Sequence, residues 1–490
     1  MAVSIYLFIG SLLLLISIFS SKFSLRYGIP TLLIFLAIGM IFGSDGLSVI
    51  HFENYQLAQY LGITALIYIL FSGGLDTDWE EVEPVIFSGM MLSTAGVLVS
   101  TVVVGYFASL ILEISITEGL LLGAIVSSTD PAAVFSVLRS RIIGFKYRLR
   151  ELLEFESGTN EPMAIFLTIG LIQYIITPEM SWWPLVALFI MQISIGLTAG
   201  LLFGKLATWV INHANLAYDG LYPVLAFSFV PLIYASTDLL GGSGILAVYL
   251  AGMVMGNSVF VHQKSLMDFF DGVSWLMQIC MFLTLGLLVF PNDVMTVAGN
   301  GLLIALILIF VARPLSVFFC TLFTGFQTRA KLMLSWVGLR GAAPIILATF
   351  PLAAGLENAE LFFSIIFFIV VTSVLIQGPV LPLIARWLHV YSPVKKRTKY
   401  PIEIEPSVKT KAALKEVEVV GNDYAIGKQI LELGLPDNVL ITLINREGKF
   451  TVPRGSMTIQ EKDKLLILSD KKDVNEIRKL LKGNGENERF

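Results

Sequence analysis

The stretch FESGTNEPMAIFLTIGLIQYII, residues 155–176, begins with two carboxylates and continues into unbroken hydrocarbon. An apolar run of about 20 residues can cross a bilayer, so Glu156 and Glu161 stand at or inside a membrane helix. An acid at membrane depth costs roughly 2.5–3.5 kcal/mol on insertion scales, and it normally faces an interior cavity where it pairs, relays protons or meets cargo. These acids need partners or a task.

The composition agrees with a membrane setting. Of 490 residues, 56% are hydrophobic and 14% charged, and the mean hydropathy is +0.79, far from the values of a soluble domain. The formal net charge of −4 is spread unevenly along the chain and points to no nucleic-acid partner. Cys280 and Cys320 both lie in apolar segments and show neither zinc nor redox spacing, so no disulfide framework is implied.

Thirteen runs are long enough to be read as spans, centred near residues 11, 37, 65, 98, 128, 163, 197, 229, 252, 282, 310, 341 and 372. The first has no basic residue before it and Lys22 and Arg26 after it, which argues against a cleaved signal peptide. Connections after odd-numbered spans carry Lys22 and Arg26, the basic run 139–150, Lys264, Arg329 with Lys331, and the run 395–399. Connections after even-numbered spans carry no Lys or Arg. That asymmetry predicts an outside N-terminus and a cytoplasmic C-terminus.

Beyond the last span the composition becomes that of a soluble domain. Residues 414–420, 439–453 and 463–469 read as strands, and 424–434 and 473–483 as amphipathic helices. The expected organisation is a transmembrane domain over 1–391, a linker over 392–411 and a cytoplasmic α/β domain over 412–490. No G-x-G-x-x-G turn marks the tail as a dinucleotide-binding unit.

Two spans are interrupted. LLGAIVSSTDPAAVFSVL (121–138) and WVGLRGAAPIILATF (336–350) each put charge, small residues and proline at mid-membrane, where a continuous helical ladder fails. They are the fifth and twelfth spans and so cross in opposite directions. Paired interruptions in inverted halves point to a midplane site of the kind secondary transporters use. On the sixth span Glu156 shares a face with Asn160, and Ser157 with Glu161. Pairing Arg340, the base at the centre of the twelfth span, with Glu156 is the simplest neutralisation. It leaves Asp130 and Glu161 to share one polar site that can take either a proton or a cation. Arg313 reads as a snorkelling or packing residue, Asp238 as a turn residue, and Asp76, Asp78, Glu80, Glu81 and Glu83 as a solvated inner loop. The lone histidines 213, 262 and 389 read as solvated.

The motifs SSTDPAAVFSVL (127–138), FESGTNEPMA (155–164), GGSGILAVYLAGMVMGN (241–257) and VGLRGAAPI (337–345) resemble, in order, those of the monovalent cation:proton antiporters. The resemblance is specifically to the NhaP-like branch and its potassium/proton, cell-volume-regulation members. The resemblance covers nearly the whole chain. It implies an all-α polytopic membrane protein with inverted repeats and two broken crossing helices, assembled as a homodimer and working by alternating access. It assigns Thr129, Asp130, Ser157, Asn160 and Glu161 to the site for K+ or Na+ and for H+, with Glu156 and Arg340 as a structural ion pair. Asn160, where electrogenic relatives carry a second acid, implies electroneutral exchange. The tail resembles the C-terminal lobe of potassium-uptake regulatory domains (RCK-C/TrkA-C-like), which favours K+ and implies a small-molecule regulator. Two positions depart from the pattern: Glu161 stands where the family has Asp, and Ser72 where many relatives have an acid, which weakens any part for the third span in the ion path.

The expected function is therefore K+/H+ exchange across the cytoplasmic membrane for cation, pH and volume homeostasis, with no enzymatic activity and no cofactor. Membrane lipid surrounds the protein and no nucleic acid is involved. The rival readings are a Na+/H+ antiporter and a tail-gated cation channel or sensor.

Overall fold

The computed structural model describes residues 2–27, 30–130, 143–179, 181–393, 412–421, 423–436, 439–446 and 448–470. The chain divides into a large helical unit drawn from residues up to 396 and a smaller unit drawn mainly from 397–490.

In the helical unit α1 (Ala2–Tyr27), α2 (Thr31–Phe42) and α3 (Tyr55–Asp76) are followed by one long span. It is assembled from α4 (Trp79–Val82), a 3-10 turn, α5 (Ile86–Met91), a π-turn over Leu92–Gly96 and α6 (Val97–Leu112). Next come α7 (Ile116–Ser127), α8 (Leu149–Ile176), α9 (Trp182–His213), α10 (Leu221–Leu239), α11 (Gly244–Gly256) and α12 (Gln263–Leu287). The last group is α13 (Pro291–Thr296), α14 (Ala298–Ile307), a π-turn over Leu308–Ala312, α15 (Arg313–Cys320), α16 (Thr328–Trp336), α17 (Ala342–Ala353) and α18 (Ala359–Trp387). Among the described residues eight helical segments are long and apolar enough to cross a membrane unaided, and α2, α7, α11 and α17 are shorter apolar helices. Each of the thirteen expected centres falls in a helix, in the second π-turn, or in the breaks after α7 and α16.

Local chemistry sets several of these boundaries. Asn54 caps α3 by accepting from the Leu57 amide at 2.9 Å. Ser115 and Glu118 form a reciprocal capping box at the start of α7, satisfying amides that the helix itself cannot. Pro314 has no N–H to offer the preceding turn, which accounts for the π-turn just before it. The other π-turn has no proline. Its loosened carbonyls are taken by side chains of α15: Ser316 Oγ donates to the Gly96 carbonyl at 2.9 Å, and Cys320 Sγ to that of Met91 at 3.2 Å. The π-turns lie in the fourth and eleventh spans, and the breaks in the fifth and twelfth. By the expected span count both pairs are seven apart, an odd offset, as opposite crossing directions require.

Burial separates the interior of the bundle from its rim. Leu121, Leu122, Ile125 and Val126 of α7 and Ile345 and Ala348 of α17 have no exposed surface. Along α1 and α9, by contrast, Phe8, Ile18, Ile190, Leu202 and Trp209 are more than half exposed, which suits helices that face lipid. A short ribbon, β1 (Ile143–Phe145) antiparallel to β2 (Tyr391–Pro393), ties the start of α8 to the end of α18. Ser392 and Pro393, the first described residues of the expected linker, belong to this ribbon.

The smaller unit is an antiparallel sheet of β3 (Ala412–Glu418), β4 (Leu440–Arg446), β5 (Lys449–Thr451) and β6 (Lys464–Asp470), in the order β3-β6-β4-β5. Its core is aliphatic and includes Val417, Val419, Ile441, Ile444, Leu465 and Ile467. The strands expected over 414–420 and 463–469 hold, the one expected over 439–453 is instead a hairpin of β4 and β5 that turns at Gly448 (φ +87°), and the helix expected over 424–434 does not form. Gly427 (φ +81°) and Gly434 (φ +58°) turn the chain through left-handed backbone, Gln429 bridges to Thr458, and only a 3-10 turn over Ile430–Leu433 remains. A run of eleven residues is too short to be helical without strong packing. The helix expected over 473–483 lies outside the described residues, as do the basic run 395–399 and residues 131–142.

Asp463, fully buried, accepts from Arg446 Nε and Nη2, both at 2.8 Å, and from the Gln460 amide at 2.9 Å. Asp463→Ala should destabilise the sheet unit by about 1–3 kcal/mol, because it strands these donors. Limited proteolysis of the full chain should show earlier cleavage after residue 400 and unchanged resistance in the bundle.

Candidate functional site

The two interrupted spans cross, and polar atoms freed by each break are used by the other. α7 ends at Ser127, Ser128 is extended, and the proline after Asp130 disfavours helical backbone at Asp130. The last carbonyls of α7 have no intrahelical donor. Arg340 supplies one: Nη1 donates to the Ser127 carbonyl at 2.5 Å and to the Ser128 carbonyl at 2.7 Å. In return the Asp130 amide donates to the Leu339 carbonyl at 3.0 Å. On the other interrupted span α16 stops at Trp336, whose carbonyl accepts from Gln377 Nε2 of α18 at 2.8 Å. Gln377 Oε1 is held by Ser373 Oγ at 2.6 Å. Gly341 then brings the backbone so near Asp130 that a Cβ there would overlap the carboxylate. The positive N-terminal end of α17 thus lies beside Asp130, a favourable place for an anion.

The α8 residues of the expected site meet Thr129 across this crossing. Asn160 Nδ2 donates to Thr129 Oγ1 at 2.6 Å, and Thr129 Oγ1 lies 3.0 Å from Ser157 Oγ. Asp130 and Glu161 line one cavity with about 150 Å3 of water-sized space. Asn160 Oδ1 and Glu161 Oε2 are buried with no hydrogen-bond partner among the described residues. Orphaned acceptors in a bundle interior are costly unless a ligand or proton satisfies them.

The expected ion pair is different in the structure. Glu156 pairs with Arg313, not with Arg340: Nη1 to Oε1 is 2.5 Å and Nη2 to Oε2 is 2.9 Å, a bidentate contact between two buried side chains. Arg313 is therefore no snorkelling residue. Arg340 is equally buried but serves as a clamp on the α7 terminus. Sequence alone offers two mid-membrane arginines and cannot say which reaches Glu156. The second π-turn, which ends just before Arg313, re-aims the residue that follows, and Pro314 is the sequence feature that could have marked it.

The cavity wall also holds residues that sequence reasoning set aside. Asp76 and Ser72 line it from α3, Glu154 from α8, Tyr249 from α11, and Asp271 and Gln278 from α12. Asp76 is thus no merely solvated loop residue, and the third span borders the cavity despite Ser72. Glu154, Gly158 and Glu161 lie one and two turns apart on a single face, a spacing that was legible in advance.

Comparison with known proteins fits this geometry. The family model described as "Sodium/hydrogen exchanger, transmembrane" matches residues 10–387. The chain belongs to the sodium/hydrogen exchanger family. Within it, this exchanger is 38% identical over 484 residues to the K(+)/H(+) antiporter NhaP2 of Shewanella sp. (strain ANA-3), covering 98% of this chain and 83% of that one. It is 38% identical over 485 residues to the K(+)/H(+) antiporter NhaP of Alkalimonas amylolytica, covering 98% and 84%. The TrkA-C domain model matches residues 414–482. The solved sodium proton antiporter MjNhaP1 from Methanocaldococcus jannaschii at pH 8 shares the fold, with a TM-score of 0.69 at 24% identity over 79% of this exchanger and 99% of that chain.

Arg313→Met should destabilise the exchanger by about 3–5 kcal/mol, because it leaves Glu156 charged and unpaired in a low-dielectric interior. Adding Glu156→Gln should recover part of that loss, but should not rescue Arg340→Met, whose damage lies at the α7 terminus. Thermal melts in detergent of the singles and both doubles check this. Rescue of Arg340→Met instead would reverse the assignment.

Proposed function

We propose that this chain is a secondary active antiporter exchanging K+ for H+ by alternating access. The observation that carries the reading is the placement of two carboxylates, Asp130 and Glu161, on one small cavity at the crossing of two broken spans. Burial and a neighbouring like charge both favour protonation of a carboxylate, and a cation favours its ionised form, so protons and cations compete for such a site. Thr129, Ser157 and Asn160 complete the proposed site with oxygen-bearing side chains of the kind that suits hard cations. The 38% identity to antiporters named for K(+)/H(+) and the match of the tail to the TrkA-C model support K+ as the cargo.

Glu154 and Asp271 lie toward the ends of their helices that adjoin Lys- and Arg-bearing connections, and Asp76 ends α3 at the connection after the third span, which by span parity lies on the same side. With those connections inside, the cavity faces the cytoplasm and its acids draw cations toward the site. In this reading thirteen crossings leave the N-terminus outside and the C-terminus inside the cytoplasmic membrane. The bundle dimerises, and the domain after a linker that ends near residue 411 regulates transport by binding a small molecule. Exchange is electroneutral, since Asn160 carries no charge beside Glu161. It therefore draws on the proton gradient and not on the roughly 2.3 kcal/mol per charge per 100 mV of membrane voltage.

Dequenching of a pH dye in proteoliposomes, read across K+, Na+, Rb+ and Li+ at several pH values, tests the reading and separates it from a Na+ exchanger or a channel. Glu161→Gln keeps size and hydrogen bonding but loses the titrating proton, so exchange should vanish while folding survives. Glu161→Asp should stay active with a displaced pH optimum, by up to about one unit for roughly 1.36 kcal/mol of altered site energy. Near wild-type coupled transport by Glu161→Gln would exclude this carboxylate as the exchanging group.

A further inference from the structure

Glu154 and Glu161 lie on one face of α8, seven residues apart, so about 10 Å separates their backbones along the axis at 1.5 Å per residue. The residue between them on that face is Gly158, and its missing side chain is filled by the ring of Tyr249 from α11. A Cβ at 158 would stand 2.5 Å from Tyr249 Cε2 and Cζ. Tyr249 is 2% exposed, and its hydroxyl has no hydrogen-bond partner among the described residues. Thr77 lies alongside, but its hydroxyl is donated to the Gly73 carbonyl at 2.8 Å and its contact with the Tyr249 hydroxyl does not meet the distance and angle of a hydrogen bond. A buried orphan hydroxyl costs about 1–3 kcal/mol, so its retention beside a transport cavity calls for a use.

We propose that the Tyr249 hydroxyl is the proton step between the mouth of the cavity and the exchanging acid. This rests on the antiporter reading above. Glu154, held at the mouth by Arg150 Nη2 at 3.2 Å, is too far along the helix to hand a proton straight to Glu161. The tyrosine O–H donates its proton toward Glu161 as its oxygen accepts one from the Glu154 side, with cavity water closing any gap. Its own protonation is the same before and after. A phenol serves here because it both donates and accepts while remaining neutral. Among the described residues the other charged groups facing the cavity are Asp130 at the break, Asp76 from α3 and Asp271 from α12; α9 and α10, which also pack on α11, put none into it. The cation needs no such relay, so its path and the proton's divide at Tyr249.

Tyr249→Phe keeps the ring on Gly158 and removes only the hydroxyl. In proteoliposomes it should lower the maximal exchange rate by roughly tenfold or more, the scale of a lost proton-transfer group, and displace the pH profile. The half-saturating K+ concentration should stay unchanged. Gly158→Ala, which pushes the ring aside and leaves the hydroxyl present but misplaced, should show the same pattern. Wild-type rate and pH profile in Tyr249→Phe would overturn the relay, as would an effect on K+ half-saturation alone, which would make the hydroxyl a cation contact. Wild-type protein that shows no exchange in the same vesicles would sink the antiporter reading itself; active wild type with an unaltered phenylalanine variant sinks only the relay.

Discussion

The site depends on one set of contacts: the guanidinium of Arg340 on the carbonyls of Ser127 and Ser128, answered by the Asp130 amide on the Leu339 carbonyl. A bilayer interior has no water to satisfy broken backbone, so irregular chain survives there only if protein supplies every partner. Each interruption supplies partners to the other. Crossing is thus a requirement of hydrogen bonding before it is a feature of transport, and it carries Asp130 to the position where Glu161 of α8 faces the same cavity.

Two buried arginines share the work that one was expected to do. Arg313 neutralises Glu156 and leaves Asn160, one turn on, uncharged company with which to hold Thr129. Arg340 pairs with no acid among the described residues; it answers the negative end of α7. Asp130 and Glu161 both line the cavity, beside the break and on α8. Arg313 thus matches the charge of Glu156 inside the bundle, and Asp130 and Glu161 lie where proton and cation are proposed to trade places.

Much of this was legible in sequence because membranes restrict what a chain can do. Long apolar runs, the Lys and Arg asymmetry, and proline with charge at mid-span in 121–138 and 336–350 follow directly from the missing water. The grouping of Thr129 with Ser157 and Asn160 followed from the resemblance and from helical spacing. What was not legible depended on rotation and depth. A π-turn changes the direction of the next residue by an amount that hydropathy does not encode, so Arg313 was misread. Asp76 and Asp271 look like loop or helix-end acids until α3 and α12 are seen to face each other across the cavity. In the tail, the glycines at 427 and 434 outweighed an amphipathic pattern that eleven residues could not sustain.

The central claim is that one site holds either protons or a cation. The most direct measurement is calorimetric titration of the purified protein with K+ in buffers of differing ionisation enthalpy, which counts the protons released as the cation binds. Competition at shared carboxylates predicts about one proton released per cation near the pH of half-protonation, since the ligand must be ionised to bind, with affinity falling as pH is lowered. K+ binding with no proton release and no pH dependence would contradict the account.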